Sequence, residues 1–155
     1  MQTVTPCLWF DTQAEEAARF YVSVFKTSKI TAVSHYGEGG PMPKGTVLTV
    51  AFELDGRPFT ALNGGPVHQF SEAISFQVGC QTQDDIDHYW SRLGDGGQEG
   101  PCGWLKDRFG LSWQIVPEAL PRLLGHPDPA KAQRVFQAMM TMGKLDIAAL
   151  EAAAA

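Results

Sequence analysis

The sequence predicts an α+β fold of two β-α-β-β-β units followed by a helical C-terminal extension. Three observations carry this. A β-prone apolar run feeds an amphipathic helix twice, and each helix is followed by short β-like runs broken at glycines. The two helix starts share a signature, Thr12-Gln13-Ala14-Glu15 and Thr82-Gln83-Asp84-Asp85, as expected when one supersecondary unit is used twice. Beyond residue 127 the two-residue period gives way to a helical one. The expected organisation is a paired-unit domain over 1–127, with units of about 1–66 and 67–127, and an extension over 128–155.

The elements follow in order. Val4 to Phe10 is a strand, and Thr12 with Glu15 has the spacing of a capping box. The helix carries Ala14, Ala17, Ala18, Tyr21, Val24 and Phe25 on one face, the stripe of a helix on a sheet. Three strands are predicted next: Ile30 to Tyr36, Thr46 to Leu54 and Pro58 to Leu62. Asp55-Gly56 marks a tight hairpin, and Asn63-Gly64-Gly65-Pro66 closes the unit. In the second half, Ala73 to Cys80 alternates as a strand. The helix after it buries Ile86, Tyr89, Trp90 and Leu93 and stops at Gly94. The stretch CGWLKDRFGLSWQIVP (102–117) reads as a hairpin turning at Asp107 to Gly110. Asp128-Pro129 opens an added helix with an apolar stripe of Ala132, Val135, Phe136, Met139 and Met140, ending at Gly143. A short helix from Asp146 carries Ile147 and Leu150, and the Ala152–Ala155 tail is expected to fray.

Composition excludes several classes. A chain of 155 residues buries enough apolar surface to fold without metal or disulfide. The net charge of −5 and the lack of a Lys/Arg stripe argue against nucleic acid. No apolar run approaches the roughly 18 residues of a bilayer span, and the start lacks a secretory signal, so no membrane role and a cytoplasmic location are expected. Cys7, Cys80 and Cys102 show no metal-like or paired spacing and read as free packing thiols.

The stretches TPCLWFDTQAEEAARFYVSVF, ALNGGP, EAISFQV, CGWLKDRFGLSWQIVP and AMMTMGKLDIAALEAA resemble the PhnB-like group of the glyoxalase/bleomycin-resistance (vicinal oxygen chelate) superfamily. Its members are often labelled 3-demethylubiquinone-9 3-methyltransferase. The resemblance implies a cup-like fold, a small-molecule ligand and a homodimer. Metal-using relatives take ligands from the first and last strands of each unit. The positions matched here are Pro6, Ala61 or an immediate neighbour, Ala73 and Gln114, a set without donor atoms apart from Gln114, so no metal and no cofactor are expected. A nucleoside-type methyl donor would need a glycine-rich turn from a strand into a helix, whereas Asn63-Gly64-Gly65-Pro66 precedes a strand.

Candidate site residues follow from strand parity. A four-residue turn at Asp107 to Gly110 pairs Lys106 with Leu111, Leu105 with Ser112, Trp104 with Trp113 and Gly103 with Gln114. If Gln114 faces the pocket, Ser112 and Leu105 face it too, and both tryptophans go to the helix side unless a bulge near the strand start turns Trp104. Ser75 and Gln77 form a polar strand face. Asn63 is either a pocket residue or a turn residue steadying Gly64. His35 beside the glycine-rich loop, His68 in the loop between the units, and Trp104 stand second to these, and His88 reads as solvated. Cys102 has no base placed to activate it.

Two functions are expected from this set. One is a metal-independent enzyme whose catalysis rests on Gln114, Ser75 and Asn63. The other is a binding protein that sequesters a drug-like or aromatic compound.

Overall fold

The predicted opening strand forms as β1 (Cys7–Phe10) and runs into α1 (Ala14–Val24), β2 (Lys29–His35), β3 (Val47–Leu54) and β4 (Arg57–Asn63). The structure, a computed structural model describing residues 2–155, divides into a first unit ending at Phe70 and a second beginning at Ser71. The first unit's sheet has the order β1-β4-β3-β2, with β1 parallel to β4 and the other pairs antiparallel. The two-residue period puts Val50, Phe52 and Leu54 on one face, where they are buried with Ala17, Ala18, Tyr21 and Val24 of α1. Tyr21 stacks on Phe52 at 6.2 Å between centroids. Full burial of such an aromatic stabilises by about 1.5–3 kcal/mol. The Asp55-Gly56 turn has φ values of 50° and 76°, the left-handed pair that a two-residue hairpin requires.

The predicted capping box does not form. Gln13 is the N-cap of α1 and makes no side-chain cap; Asn63 Oδ1 instead accepts from Ala14 N at 2.8 Å. The helix starts one residue later than the Thr12 signature implies, and a group 49 residues away takes the orphan donor.

The second unit repeats the order with β5 (Ser75–Cys80), α2 (Gln83–Gly94), β6 (Gln98–Glu99), β7 (Trp104–Lys106) and β8 (Ser112–Pro117). Its sheet runs β5-β8-β7-β6, again with one parallel pair, β5 with β8. Here the signature caps locally: Thr82 Oγ1 accepts from Asp85 N at 3.1 Å. Ile86, Trp90 and Leu93 are buried, while Tyr89 is only half-buried. Ile74 lies outside β5 and is exposed.

The β7–β8 register corrects the predicted hairpin. Trp104 pairs with Gln114, Leu105 with Trp113 and Lys106 with Ser112, because five residues rather than four make the turn. Asp107 causes the extra residue. It is 3% exposed, its Oδ1 accepts from Phe109 N at 2.8 Å and Leu111 N at 3.1 Å, and its Oδ2 accepts from Trp113 Nε1 at 2.9 Å. A one-residue change of register swaps faces. Leu105 therefore joins Trp113 in the buried core, and Trp104 joins Gln114 on the opposite face.

The extension forms α3 (Leu120–Leu124), which the sequence reading lacked, then α4 (Pro129–Met140) and α5 (Ile147–Ala153). Asp128 and Asp146 cap the last two, accepting from Ala130 N and Ala149 N at 3.0 Å each. Leu120, Leu123, Val135, Leu145 and Leu150 make a buried cluster within the second unit. The predicted α4 stripe is only partly covered, since Phe136 and Met140 are exposed. The tail is ordered further than expected: α5 runs through Ala153, and Arg134 donates to the carbonyls of Ala153 and Ala155 at 3.0 and 3.1 Å.

Candidate functional site on the second sheet

The second sheet has one face under α2 and one face free of it. Alternation along β8 sends Trp113, Ile115 and Pro117 into the core and Ser112, Gln114 and Val116 to the other side. The register extends this polar row sideways, placing Ser75, Ser112 and Lys106 on one rung and Gln77, Gln114 and Trp104 on the next. Gln114 Nε2 donates to Ser75 Oγ at 2.8 Å, and Gln77 Nε2 donates to Gln114 Oε1 at 3.4 Å. Gln114 is thus oriented by both neighbours across β5 and β8. A row of amides and hydroxyls on a half-buried surface holds a fixed pattern of donors and acceptors that does not titrate near neutral pH.

Beside this row opens a cavity of about 500 Å³, lined by Trp104, Leu105, Lys106, Ser112, Glu72 and the turn around Cys102. Its size suits a small organic molecule. Lys106 Nζ forms an ion pair with Glu72, and that hydrogen bond holds the Glu72 carboxyl below its usual range. Glu99, also at the cavity, accepts from Trp90 Nε1 at 3.0 Å. Ser112 is 1% exposed and its Oγ has no hydrogen-bond partner among the described residues.

The structure therefore brings Ser75, Gln77, Ser112 and Gln114 together and adds Trp104 and Lys106 to them. Leu105 reaches the cavity from the core side of β7. Lys106 and Glu72 were missed by the sequence reading. The true turn length would have placed Lys106 on the Ser112 rung; the pairing with Glu72, 34 positions earlier, leaves no local signal.

Asn63, His35 and His68 belong to the first unit. Asn63 is 2% exposed; besides capping α1, its Nδ2 donates to Val47 O at 3.0 Å and its carbonyl accepts from Tyr36 Oη at 2.5 Å. Both ends of its amide are thus committed to the fold. His68 is exposed and meets the Trp9 ring edge-on at 4.8 Å, and His35 is exposed at the end of β2. Trp9 Nε1 donates to Gly65 O at 2.9 Å, and its indole lies where a Cβ on residue 64 would be, which accounts for Gly64.

The strand positions that hold metal in glyoxalase-type proteins carry weak donors here. Ala61 points into the core, so across β1 and β4 the residues on the other face are Cys7 and Thr60. Across β5 and β8 the equivalent residues are Gln77 and Gln114. Burial pushes the Cys7 thiol up, away from the thiolate that binds metal. No cluster of three His, Cys, Asp or Glu side chains suited to a metal occurs among the described residues. Cys80 is a packing thiol, pushed up to about 12 chiefly by burial. The residues also do not fit a nucleoside methyl donor, because the turns entering α1 and α2 read Asp11-Thr12-Gln13 and Gln81-Thr82, without glycine. No described helix is long and apolar enough to cross a membrane.

Comparison with known proteins agrees with this architecture. Residues 2–116 match the family model described as 3-demethylubiquinone-9 3-methyltransferase. A solved Bacillus cereus structure, described as a 3-demethylubiquinone-9 3-methyltransferase and PhnB protein, is 35% identical, covering 75% of this chain and 99% of that one, with a TM-score of 0.67. A Pseudomonas aeruginosa protein (17% identity, 76% and 98% coverage, TM-score 0.64) and the fosfomycin resistance protein FosX of Mesorhizobium loti (14%, 81% and 98%, 0.56) share the fold. No curated protein matches the chain. The helices after residue 116 lie outside the family match. With the repeated β-α-β-β-β order and the match over residues 2–116, the chain belongs to the 3-demethylubiquinone-9 3-methyltransferase family, the PhnB-like group of the vicinal oxygen chelate superfamily.

Proposed function

We propose that this chain is a metal-independent small-molecule-binding protein whose binding surface is the polar face of the second sheet with its adjoining cavity. The observation that carries the reading is the Ser75–Gln114–Gln77 row, held in one orientation beside Trp104 and a cavity of about 500 Å³. Fixed amides and hydroxyls recognise a ligand's polar groups, and an indole beside them covers an apolar ring. Binding is favoured over catalysis by the side-chain types. Proton transfer near neutral pH needs a group that titrates there, whereas the row offers amides and hydroxyls, and the hydrogen bond from Lys106 holds the Glu72 carboxyl below its usual range. The methyl transfer in the family's name is not part of this reading, for want of a fitting donor site. A cytoplasmic homodimer, expected from the sequence and the resemblance, is carried along with it.

The test combines native mass spectrometry of the purified protein, to weigh anything it carries, with titration of what is found. Gln114→Ala should weaken binding by about 1–3 kcal/mol, the cost of stranding a polar group in a dry pocket, with little change in melting temperature. Unchanged affinity in both Gln114→Ala and Trp104→Ala would remove the second sheet as the binding surface.

A further inference from the structure

The cavity of the second unit shows which ligand chemistry it suits, an inference that rests on the binding surface proposed above. Ser112 Oγ is enclosed at a residue lining the cavity and has no partner among the described residues, although buried hydroxyls are normally paired. Lys106 lies directly across the β7–β8 ladder from it, so the two side chains leave the sheet on the same face at one rung. Both can donate, and two adjacent donors are complemented by a group with two acceptor oxygens. At present a carboxylate already meets Lys106, that of Glu72.

The two members of that pair are held very differently. Lys106 is on β7, between β8 and β6, so its backbone is fixed by pairing on both sides. Glu72 precedes β5 in a turn, with its side chain 60% exposed, and can swing into water at small cost because an exposed ion pair is weak. Glu99 does not compete for Lys106: it occupies the Leu105 rung and is bound to Trp90. Trp104 and Pro101 supply the apolar wall.

We propose that the cavity takes a small aromatic carboxylate, whose charged group replaces Glu72 on Lys106 and accepts the Ser112 hydroxyl while its ring lies against Trp104. Glu72 is then an internal competitor that occupies Lys106 until the ligand arrives.

The test is calorimetric titration with benzoate and with its neutral analogue benzamide, on the wild-type protein and on Glu72→Gln, Lys106→Met and Ser112→Ala. Benzoate should bind about tenfold tighter than benzamide, a gap expected when a charge-assisted contact replaces a neutral one. Glu72→Gln, a surface change that leaves the fold alone, should tighten benzoate several-fold and leave benzamide unaffected. Lys106→Met should abolish the preference. Ser112→Ala should weaken benzoate without lowering the melting temperature, since it removes a hydroxyl that has no partner among the described residues. Equal binding of the two probes, or no gain in Glu72→Gln, overturns the carboxylate assignment and leaves the binding surface standing. If neither probe binds while native mass spectrometry finds a carried molecule, the ligand class is wrong but the pocket is real. If neither probe binds and nothing is carried, both readings fall.

Discussion

Asp107 determines which side chains share the face of Gln114 without itself lining the cavity. By accepting two backbone donors and the Trp113 indole it spreads the turn over five residues, and the added residue puts Trp104 and Lys106 on the same face as Gln114 and Ser112. Asp at a turn is ordinary, but a buried Asp serving an indole two residues past the turn is not visible in a local pattern. That is why Ser112, Gln114 and the buried Trp113 were legible from alternation along one strand, whereas Trp104 and Leu105, whose faces depend on the turn, came out exchanged. Asp107→Ala should cost about 3–5 kcal/mol in urea unfolding, because it strands several buried donors at once. Trp113→Phe keeps the packing and strands only one acceptor, so its cost should be about 1–3 kcal/mol. A loss below 1 kcal/mol for Asp107→Ala would mean that the turn does not depend on its carboxylate.

The same contrast between local and distant partners appears at the level of helices. Two nearly identical signatures start α1 and α2, yet Thr82 caps its own helix and Thr12 does not. In α1 the work passes to Asn63, which ties the helix start, the Val47 carbonyl and the Tyr36 hydroxyl into one buried junction at the end of β4. A motif reports what a residue is able to do; the fold decides which residue does it. Asn63 was legible as a strand-end residue with two possible roles, pocket or turn, but not as the partner of Ala14 and Val47, which lie far from it in sequence. Asn63→Ala should lower stability by about 1–3 kcal/mol, and Thr82→Ala by about 1 kcal/mol, the usual value of a local cap. Thermal unfolding of both variants checks the order; an Asn63 effect smaller than that of Thr82 would show the junction to be dispensable.

In the whole molecule the repeat was legible because each unit has the same reasons to fold: a period-two strand, a capped amphipathic helix and glycine-marked turns. The extension was legible only as helices. Its attachment depends on groups far apart in sequence: Gln83 Nε2 donates to Leu145 O at 3.0 Å, Gln83 Oε1 accepts from Ile147 N at 2.9 Å, and Cys102 N and Gly103 N donate to Met142 O and Gly143 O at 2.8 Å each. Gly103, at φ 84°, brings the chain so close to Leu145 and the Ile115 carbonyl that a Cβ would collide with both. The segment therefore packs into the second unit of its own chain and braces the turn leading into β7, one wall of the proposed pocket. Truncation before Asp128 removes Val135, Leu145 and Leu150 and uncovers Leu120 and Leu123. It should lower the melting temperature sharply and weaken ligand binding along with it. Because a truncated chain that aggregates would settle nothing, Leu145→Ala is the finer probe. It keeps the helices, opens a cavity beneath Gly103, and should cost about 2–5 kcal/mol. If the bracing argument holds, the same substitution also loosens the Trp104 strand and reduces affinity at temperatures where the protein remains folded. Full affinity in a destabilised but folded Leu145→Ala protein would show that the extension supports the fold and not the site.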